Sequence, residues 1–500
     1  MAATETAKAV PTYGNWRSPQ RSGLGRLSLG GTVVLLGGLV VVVAMTLVSF
    51  VLALVMALLL ALVLIPLTIR DQHGRTAMTR LHARWSWRRT VKTGSHLYLS
   101  GPLGRTGHGT CTLPGLAAAS TMSEAQDSYG RPYALLSYPT TNHHVVVFDC
   151  QADGASLVDQ EQVDQWVAHW GNWLSRLAHE PGLVGASVTV ETAPDSGIRL
   201  SHEVTSNLHP EAPEAARQML TDVLTQYPAG SAQITTRVAL TYSGAAEGGR
   251  DRKDADAMAV LLGNRLPHLT DSLSMTGAGS ARPLDASELA EAVRIAYDPA
   301  VATLVEQARA QGGSGLEWTD AGPSGAEEAW DHYRHDTGVS VTWQMSEAPR
   351  GEVLSNVLFD LLAPNPDIAR KRVTLYYRPH SPAQAAKIVE QDKLDARFRS
   401  NQSKTAAARA SVALQAAEQS AQEEAKGAGV TRFALAVTAT VTDYKDLPLA
   451  LTAVDNLAPQ SRIRLRLVTR AQAAAFAAAL PIGLVLPAHL LIPAVVRDNL

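Results

Sequence analysis

The sequence predicts an α+β protein that begins with a two-helix transmembrane hairpin and continues as several ferredoxin-like α+β modules with a long helix. Three observations lead to this prediction. A run of 43 uncharged residues, Leu27–Ile69, lies near the N-terminus. Short β-type runs then alternate with amphipathic helical segments. Finally, an Ala-rich charged stretch, Pro382–Glu424, keeps helical character throughout.

Composition limits the classes of protein that fit. The chain has 500 residues, of which 46% are hydrophobic and 18% charged, so disorder of the whole chain is excluded. Residues 1–92 hold eleven Lys and Arg against two acids, and the rest holds thirty-three against forty-four. An acidic soluble part gives no support to nucleic-acid binding. Two cysteines, Cys111 and Cys150, fit a reducing compartment, although one disulfide bridge stays open.

The uncharged run is too long for one transmembrane span. As a single helix, its 43 residues would measure about 64 Å, whereas the hydrocarbon core of a bilayer is about 30 Å thick. It also exceeds the core of a cleaved signal peptide, which is about 7–15 residues. We therefore expect two spans, about 29–47 and 50–69, with a turn at Thr46 and Ser49.

Glycines and flanking charges complete the membrane prediction. Four glycines on one face either permit close helix packing or are ordinary transmembrane glycines: Gly30, Gly31, Gly37 and Gly38. Basic residues flank the run on both sides, which predicts that both termini are cytoplasmic. The protein would then cross the inner membrane twice. These bases are Arg17, Arg21, Arg26, Arg70, Arg75, Arg80, Arg84, Arg88, Arg89 and Lys92. We expect Trp16, Trp85 and Trp87 at headgroup level and the arginines on anionic lipid.

The chain divides into segments by composition and periodicity. They are a basic cytoplasmic N-terminal segment (1–26), the transmembrane hairpin (27–69), a basic juxtamembrane and connecting segment (70–127), a first α+β lobe (128–330), a second α+β lobe with the long helix 382–424 (331–483) and an apolar tail (484–500). The tail is too short to span a bilayer, so we expect a docking strand or an interfacial segment.

Each lobe is predicted to alternate strands and helices. The predicted strands are Tyr133–Tyr138, Val145–Cys150, Leu183–Val190, Ala232–Tyr242, Val339–Met345, Arg372–Tyr377, Phe433–Val441 and Ile463–Leu467. The predicted helices are Val158–Leu177, Pro213–Gln226, Ala255–Leu266, Ala286–Tyr297, Val353–Leu362, Pro382–Glu424, Lys445–Asn456 and Ala471–Leu480. Thr303–Ala326 is expected to be irregular.

The motifs of common enzymes are missing from the sequence. It contains no GxxxxGK[ST] phosphate loop, HExxH, paired CxxC or GxSxG. We therefore expect no catalytic residue, no cofactor and no metal, and any motor would be a separate chain. Cys111, three residues after His108, is the residue that would serve as a nucleophile in an enzyme, but an ordinary loop cysteine is favoured. The cluster Asp331–Asp336, with His332 and His335, fits a solvated helix end better than a site.

Two other groups of residues admit two interpretations. His143 and His144 are interpreted as a surface turn in preference to a ligand pair, because no third ligand is near in sequence. Three tryptophans on one face of a predicted helix are either a partner surface or core packing, with core packing favoured: Trp166, Trp170 and Trp173.

Several short stretches carry a resemblance to a known family. They are Tyr13-Gly-Asn-Trp-Arg-Ser-Pro19, Cys111-Thr-Leu-Pro-Gly115, Tyr129-Gly-Arg-Pro-Tyr133, Leu157-Val-Asp159, Glu180-Pro-Gly-Leu183 and Val188-Thr-Val-Glu-Thr-Ala-Pro194. With the hairpin, they resemble actinobacterial integral membrane proteins whose genes travel with conjugation-type (type IV-like) secretion clusters. The soluble part is similar to the N-terminal, non-ATPase region of TraC/TrbE/CagE-type ATPases, at Leu284–Pro299 and from the long helix through Phe433–Val441 to Phe476–Pro481.

The resemblance implies a non-enzymatic membrane scaffold that seats a separate ATPase among other subunits of the apparatus, within an oligomeric complex. No catalytic residue carries over from the family. Two alternatives stay open: an EccE-like component of type VII secretion, and a membrane-tethered enzyme that uses Cys111 or the cluster Asp331–Asp336.

Overall fold

The protein is a mixed α+β structure built on a large antiparallel sheet. A computed structural model describes residues 11–16, 29–69, 71, 74–104, 109–152, 154, 157–209, 211–226, 232–245, 253–349, 351–402 and 407–491.

Fifteen α-helices lie in this part of the chain. They are α1 (Leu29–Thr46), α2 (Phe50–Thr68), α3 (Ala77–Thr93), α4 (Gln160–Leu177), α5 (Ile198–Ser206), α6 (Glu214–Gln226), α7 (Ala255–Gly263), α8 (Leu266–Leu273), α9 (Ala286–Tyr297), α10 (Ala302–Ala310), α11 (Phe359–Leu362), α12 (Pro382–Gln402), α13 (Ala407–Ala425), α14 (Leu447–Gln460) and α15 (Gln472–Ala478).

Thirteen strands occur among the same residues. They are β1 (Leu97–Leu99), β2 (Thr121–Gln126), β3 (Pro132–Tyr138), β4 (His143–Gln151), β5 (Leu183–Pro194), β6 (Ala232–Ser243), β7 (Ser280–Pro283), β8 (Gly325–Glu328), β9 (Tyr333–His335), β10 (Gly338–Glu347), β11 (Arg370–Pro379), β12 (Thr431–Val441) and β13 (Arg464–Leu467).

Two compact units organise these elements. The helical unit consists of α1, α2 and α3, within residues 16–97. The sheet unit contains strands β2 to β13, helices α4 to α15 and the short segment 11–15.

One sheet joins the two predicted lobes. Its strand order is β1-β8-β9-β10-β12-β11-β5-β6-β4-β3-β2, with β13 on β10 and β7 on β4. The lobes meet where β11 pairs with β5, in a register that places Leu375 opposite Val188. The prediction of several ferredoxin-like modules therefore requires correction, because the strands of both lobes form a continuous hydrogen-bonded sheet.

Successive residues of a strand point to opposite faces of this sheet. Val147 belongs to the core on one face, where α9 and α15 cover the sheet with Leu289 and Phe476. Phe148 belongs to the core on the other face, against α4, α7 and α8. On that second face α14 covers the other half of the sheet, around Val437.

The long helix Pro382–Glu424 is replaced by two helices, so this prediction is wrong. Arg397 on α12 lies 3.6 Å from Glu418 on α13, whereas these residues would be about 32 Å apart along one helix. Ala396 and Ala417, their neighbours in sequence, are buried. Small side chains let two helices approach closely, so an Ala-rich sequence that extends well as one helix also pairs well with itself. We refer to α12 and α13 together as the helical arm.

The other predicted helices differ less from the observed ones. Helix α9 has the predicted bounds, whereas Val353–Leu362 is helical only over α11. Four helices were not predicted: α3, α5, α8 and α10. Helix α10 lies largely within Thr303–Ala326, so the expectation that this stretch is irregular throughout was wrong. In the apolar tail Leu484 is buried and Leu486–His489 forms a short 3-10 turn, while residues 492–500 lie outside the described part.

Candidate functional site

The helical unit contains two apolar helices in contact with each other. Helix α2 has 19 residues and a mean hydropathy of 3.1, and it is long and apolar enough to cross a membrane. The described side chains of α1, over Gly31–Thr46, form a shorter apolar helix. Residues 47–49 connect the two helices, and the amide of Ser49 donates to the carbonyl of Met45 at 2.9 Å. Their large side chains are mostly exposed, which is costly in water but favourable in lipid.

One of the predicted glycines lies at the contact between these helices. A Cβ atom on Gly38 would stand 2.3 Å from Cδ1 of Leu60, whereas a Cβ atom on Gly37 would meet nothing within 4 Å. Gly38 therefore lets α1 and α2 approach closely, and its neighbour has no such role.

Helix α3 carries half of the ten predicted basic residues. Thr76 caps its first turn by accepting from the amide of Thr79, and Gly94 ends it in the left-handed conformation (φ 71°). Its sequence includes no acid. The five cations on it are Arg80, Arg84, Arg88, Arg89 and Lys92, while Arg75 precedes it. Arg17, Arg21, Arg26 and Arg70 lie outside the described residues.

The tryptophans expected at headgroup level occupy different surroundings. The side chain of Trp85 is exposed. Trp87 is half-buried and its ring centre lies 6.3 Å from that of His96. Trp16 is half-buried as well. Of the two tryptophans of α3, Trp85 alone has an exposed ring.

The tryptophans of α4 lie against the sheet unit's own core. Trp173 is buried and stacks on Trp170, with ring centres 4.8 Å apart. The ring centres of Trp170 and Tyr377 of β11 lie 5.8 Å apart. The ring of Trp166 lies over Gly277, where an added Cβ atom would come within 2.9 Å of it. These contacts agree with core packing for Trp173, the most buried of the three.

The two cysteines have different surroundings. Cys150 is buried, and burial raises the pKa of its thiol to about 12. Cys111 is half-buried and its Sγ atom lies 3.9 Å from Oγ of Ser324. His108, the base considered for it, lies outside the described residues. Both cysteines are free thiols.

The two histidine groups are not solvated turns or helix ends. His143 and His144 begin β4 and are buried, and Nδ1 of His144 lies 2.9 Å from Oγ of Ser137. The surface-turn interpretation was therefore wrong. The residues of the Asp331–Asp336 cluster form β9 and its turns instead of a helix end, so its members alternate between the core and the surface.

His335 is the buried histidine of that cluster. Its Nδ1 atom lies 2.5 Å from the carbonyl of Tyr297 and its Nε2 atom lies 2.7 Å from Oγ of Ser340. Its ring packs on Phe476. Burial lowers the pKa of His335 to about 4, and the positive charge of Arg372 adds to this effect. The imidazole is therefore a neutral part of the core near pH 7.

A buried charge cluster in the middle of the sheet was not anticipated. Glu191 on β5 is surrounded by Arg370 at 2.8 Å, Arg372 at 3.2 Å and Arg237 at 3.7 Å. Burial would raise the pKa of Glu191, but the three guanidinium groups outweigh it and hold the pKa at about 2. The sequence signal was a lone acid in an apolar strand and two bases, Arg370 and Arg372, on one face of another.

A cavity of about 210 Å³ opens beside this cluster, at the ends of β5, β11 and β12. Arg370 and Glu306 line it, and the hydroxyl of Ser196 donates to the carboxylate of Glu306. The cavity is smaller than the usual range of about 300–1,000 Å³ for ligand pockets. Within the described residues, no group of three His, Cys, Asp or Glu side chains is placed to hold a metal ion.

Comparison with known proteins gives a match to one family. A family model described as a domain of unknown function (DUF8461) matches residues 20–79, the stretch that includes α1, α2 and the first turn of α3. No curated protein matches the chain.

Proposed function

We propose that this protein is a membrane-anchored scaffold of a conjugation or type IV-like secretion apparatus. In this proposal α1 and α2 cross the membrane as a hairpin with both ends in the cytoplasm. The sheet unit is a cytoplasmic platform that seats a separate ATPase and other subunits. The observation that carries the proposal is the close packing of two apolar helices whose large side chains are otherwise exposed.

The dimensions of the hairpin support a bilayer environment. The 19 residues of α2 and the 18 of α1 give lengths of about 27–29 Å, close to the hydrocarbon thickness of about 30 Å. Because only three residues connect the two helices, little of this connection would extend beyond the outer surface of the membrane. The basic helix α3 then follows α2, as expected for a cytoplasmic flank.

The helical arm supports a role in binding a protein partner. Leu394 and Phe398, four residues apart on α12, are 60% and 63% exposed, and Val412 on α13 is 64% exposed. Large apolar side chains on a charged helix pair are typical of surfaces that meet another protein. A scaffold needs such a surface, and the sequence resemblance suggests an ATPase as its partner.

The membrane part of the proposal is tested by topology mapping. Single cysteines replace Thr46 or Ser49 in a Cys111→Ser background, in which the buried Cys150 is unreactive. An impermeant maleimide should label them only from the outer side of intact cells, and the protein should stay in the membrane after alkaline extraction. Labelling from the cytoplasmic side, or release at high pH, would refute the hairpin.

The scaffold part is tested by photo-crosslinking in living cells. A photoreactive amino acid at Phe398 should capture a secretion ATPase or channel subunit, whereas the same group at the exposed Lys387 of α12 should capture much less. Capture of type VII subunits would assign the protein to the EccE-like alternative. If neither position captures an apparatus subunit, the scaffold role is wrong.

A further inference from the structure

The exposed face of α3 carries an apolar stripe. Met78, Leu81 and Trp85 recur at three- and four-residue spacing and are 49%, 57% and 62% exposed. This spacing places them on one side of the helix. No residue of α3 is buried, and the half-buried residues Ala83, Ser86, Trp87 and Thr90 lie on the other side.

The same face continues into a group of positive charges. Arg88, Arg89 and Lys92 are exposed in the last turns of α3. None of these three forms an ion pair with any residue that the structure describes. Since α3 contains no acid, the face combines exposed apolar side chains with uncompensated charge.

We propose that α3 is an interfacial helix that binds the surface of a bilayer rich in anionic phospholipid. Met78, Leu81 and Trp85 insert at the boundary between headgroups and acyl chains, and Arg88, Arg89 and Lys92 contact lipid phosphates. This inference rests on the proposed function, because α2 must bring α3 to the membrane.

The start of α3 fits this position. The amide of Ala77 donates to the carbonyl of Ile69 at 3.0 Å, so the first turn of α3 lies beside the end of α2. A helix that starts at the bilayer boundary, with an apolar stripe and a cationic end, has the composition of known interfacial helices. Each cation near an anionic surface favours the bound state about five-fold.

The inference is tested with spin labels on the full-length protein in lipid vesicles. Single cysteines replace Trp85 or, as the matched control, Val91, which is also exposed and apolar but lies about 120° around the helix. The vesicles contain phosphatidylcholine alone or equal parts of phosphatidylglycerol and phosphatidylcholine. The ratio of oxygen to nickel-chelate accessibility should rise several-fold at position 85 in the anionic vesicles and stay unchanged at position 91.

A second variant tests the charges. Replacing Arg88, Arg89 and Lys92 together by Gln should lower the equilibrium constant for surface binding about a hundred-fold, so the ratio at position 85 should return to its value in phosphatidylcholine. An equal ratio at positions 85 and 91 in anionic vesicles would overturn the proposal, and so would a triple variant that behaves like the parent.

Alkaline extraction of the same vesicles separates this inference from the proposed function. If the protein is released, the transmembrane hairpin is wrong. If the protein stays in the bilayer while the label at position 85 remains open to the nickel chelate, only the role of α3 is wrong.

Discussion

The guanidinium group of Arg372 lies 3.2 Å from the carboxylate of Glu191, across the pairing of β11 with β5. Both side chains are buried. Because β5 belongs to the first predicted lobe and β11 to the second, this ion pair lies where the two halves of the sheet join. Arg370 and Arg237 approach the same carboxylate, so three bases share Glu191 at this junction, while Arg237 also lies 3.9 Å from Asp149.

Replacing Glu191 by Gln should therefore destabilise the sheet unit strongly. The change leaves buried guanidinium groups without their counter-charge, which typically costs about 3–5 kcal/mol. The free energy of unfolding in detergent, followed by tryptophan fluorescence, measures the loss. Glu418→Gln is the matched control, since its ion pair with Arg397 is exposed and is worth at most about 1 kcal/mol. Equal losses in the two variants would contradict a structural role for the cluster.

The stability of the sheet unit should fall as the pH drops from about 6.5 to about 4. The folded pKa of His335 is about 4 because burial opposes its charge, whereas an unfolded His has a pKa of about 6.5. Between these values the unfolded chain binds more protons than the folded chain, so acid favours unfolding. The expected loss is about 3 kcal/mol. The matching effect of Glu191, with its pKa of about 2, begins only below about 4.5.

His335→Gln tests this assignment, because Gln keeps a polar side chain but does not titrate. Unfolding free energies of the parent and the variant should converge as the pH falls through this window. A slope as steep in the variant as in the parent would show that other groups are responsible, such as His380 and His489, whose pKa values burial also lowers.

Local sequence patterns predicted where the strands lie better than which strands pair with each other. The runs around Val147, Val188 and Val437 were found because apolar β-type residues cluster there. The pairing of β11 with β5 was not found, because a strand's sequence carries its pattern of burial and not the identity of a neighbour almost two hundred residues away. The buried Glu191 depends on that pairing and was missed for the same reason.

For the helical arm, the local pattern itself gave the wrong prediction. Helical propensity is continuous from Pro382 to Glu424, and after Pro382 this stretch contains no proline or glycine that would indicate a turn. The decision between one helix and two depends on packing of small alanines such as Ala396 and Ala417, which propensity does not report. In the helical unit, by contrast, the apolar run and the basic flank could be recognised from the sequence, because their composition is extreme.

The fold-back of the arm predicts a cross-link. Arg397→Cys and Glu418→Cys, introduced together in a Cys111→Ser background, should be joined readily by a short bifunctional reagent, because these side chains form a 3.6 Å ion pair. Lys387→Cys with Glu418→Cys is the control, displaced by about 15 Å along α12. Mass spectrometry of the digested protein identifies the product. A single continuous helix would leave both pairs unlinked.

A short segment near the N-terminus should hold α13 in place. Tyr13 exchanges two backbone hydrogen bonds of 2.8 Å with Val353, and the side chain of Asn15 donates to the carbonyl of Ala416 and to Oγ of Ser420. Asn15→Gly keeps the left-handed backbone (φ 62°) but removes both side-chain bonds. Exchange of the α13 amides should become about five-fold faster, as expected for the loss of about 1 kcal/mol.

Asn15→Ala should have a larger effect, because alanine also strains that left-handed conformation by about 1–2 kcal/mol. Asn207→Gly is the control, since the side-chain amide of Asn207 donates to Glu203 of its own helix and, among the described residues, to no other. Hydrogen exchange with mass spectrometry reads all three variants. Unchanged α13 exchange in both Asn15 variants would show that the segment does not hold this helix.

The packing of α1 on α2 should depend on Gly38 and not on Gly37. Gly38→Ile places a branched side chain where a Cβ atom alone would already stand 2.3 Å from Leu60, whereas Gly37→Ile extends into open space. We expect Gly38→Ile to separate the helices and lower the thermal unfolding midpoint of the helical unit in detergent, and Gly37→Ile to leave it nearly unchanged. Leu60→Ala added to Gly38→Ile should restore much of the loss, because the smaller residue makes room for the larger one. Rescue of this kind distinguishes a specific contact from a general intolerance of isoleucine, and equal effects at the two glycines would contradict the contact between α1 and α2.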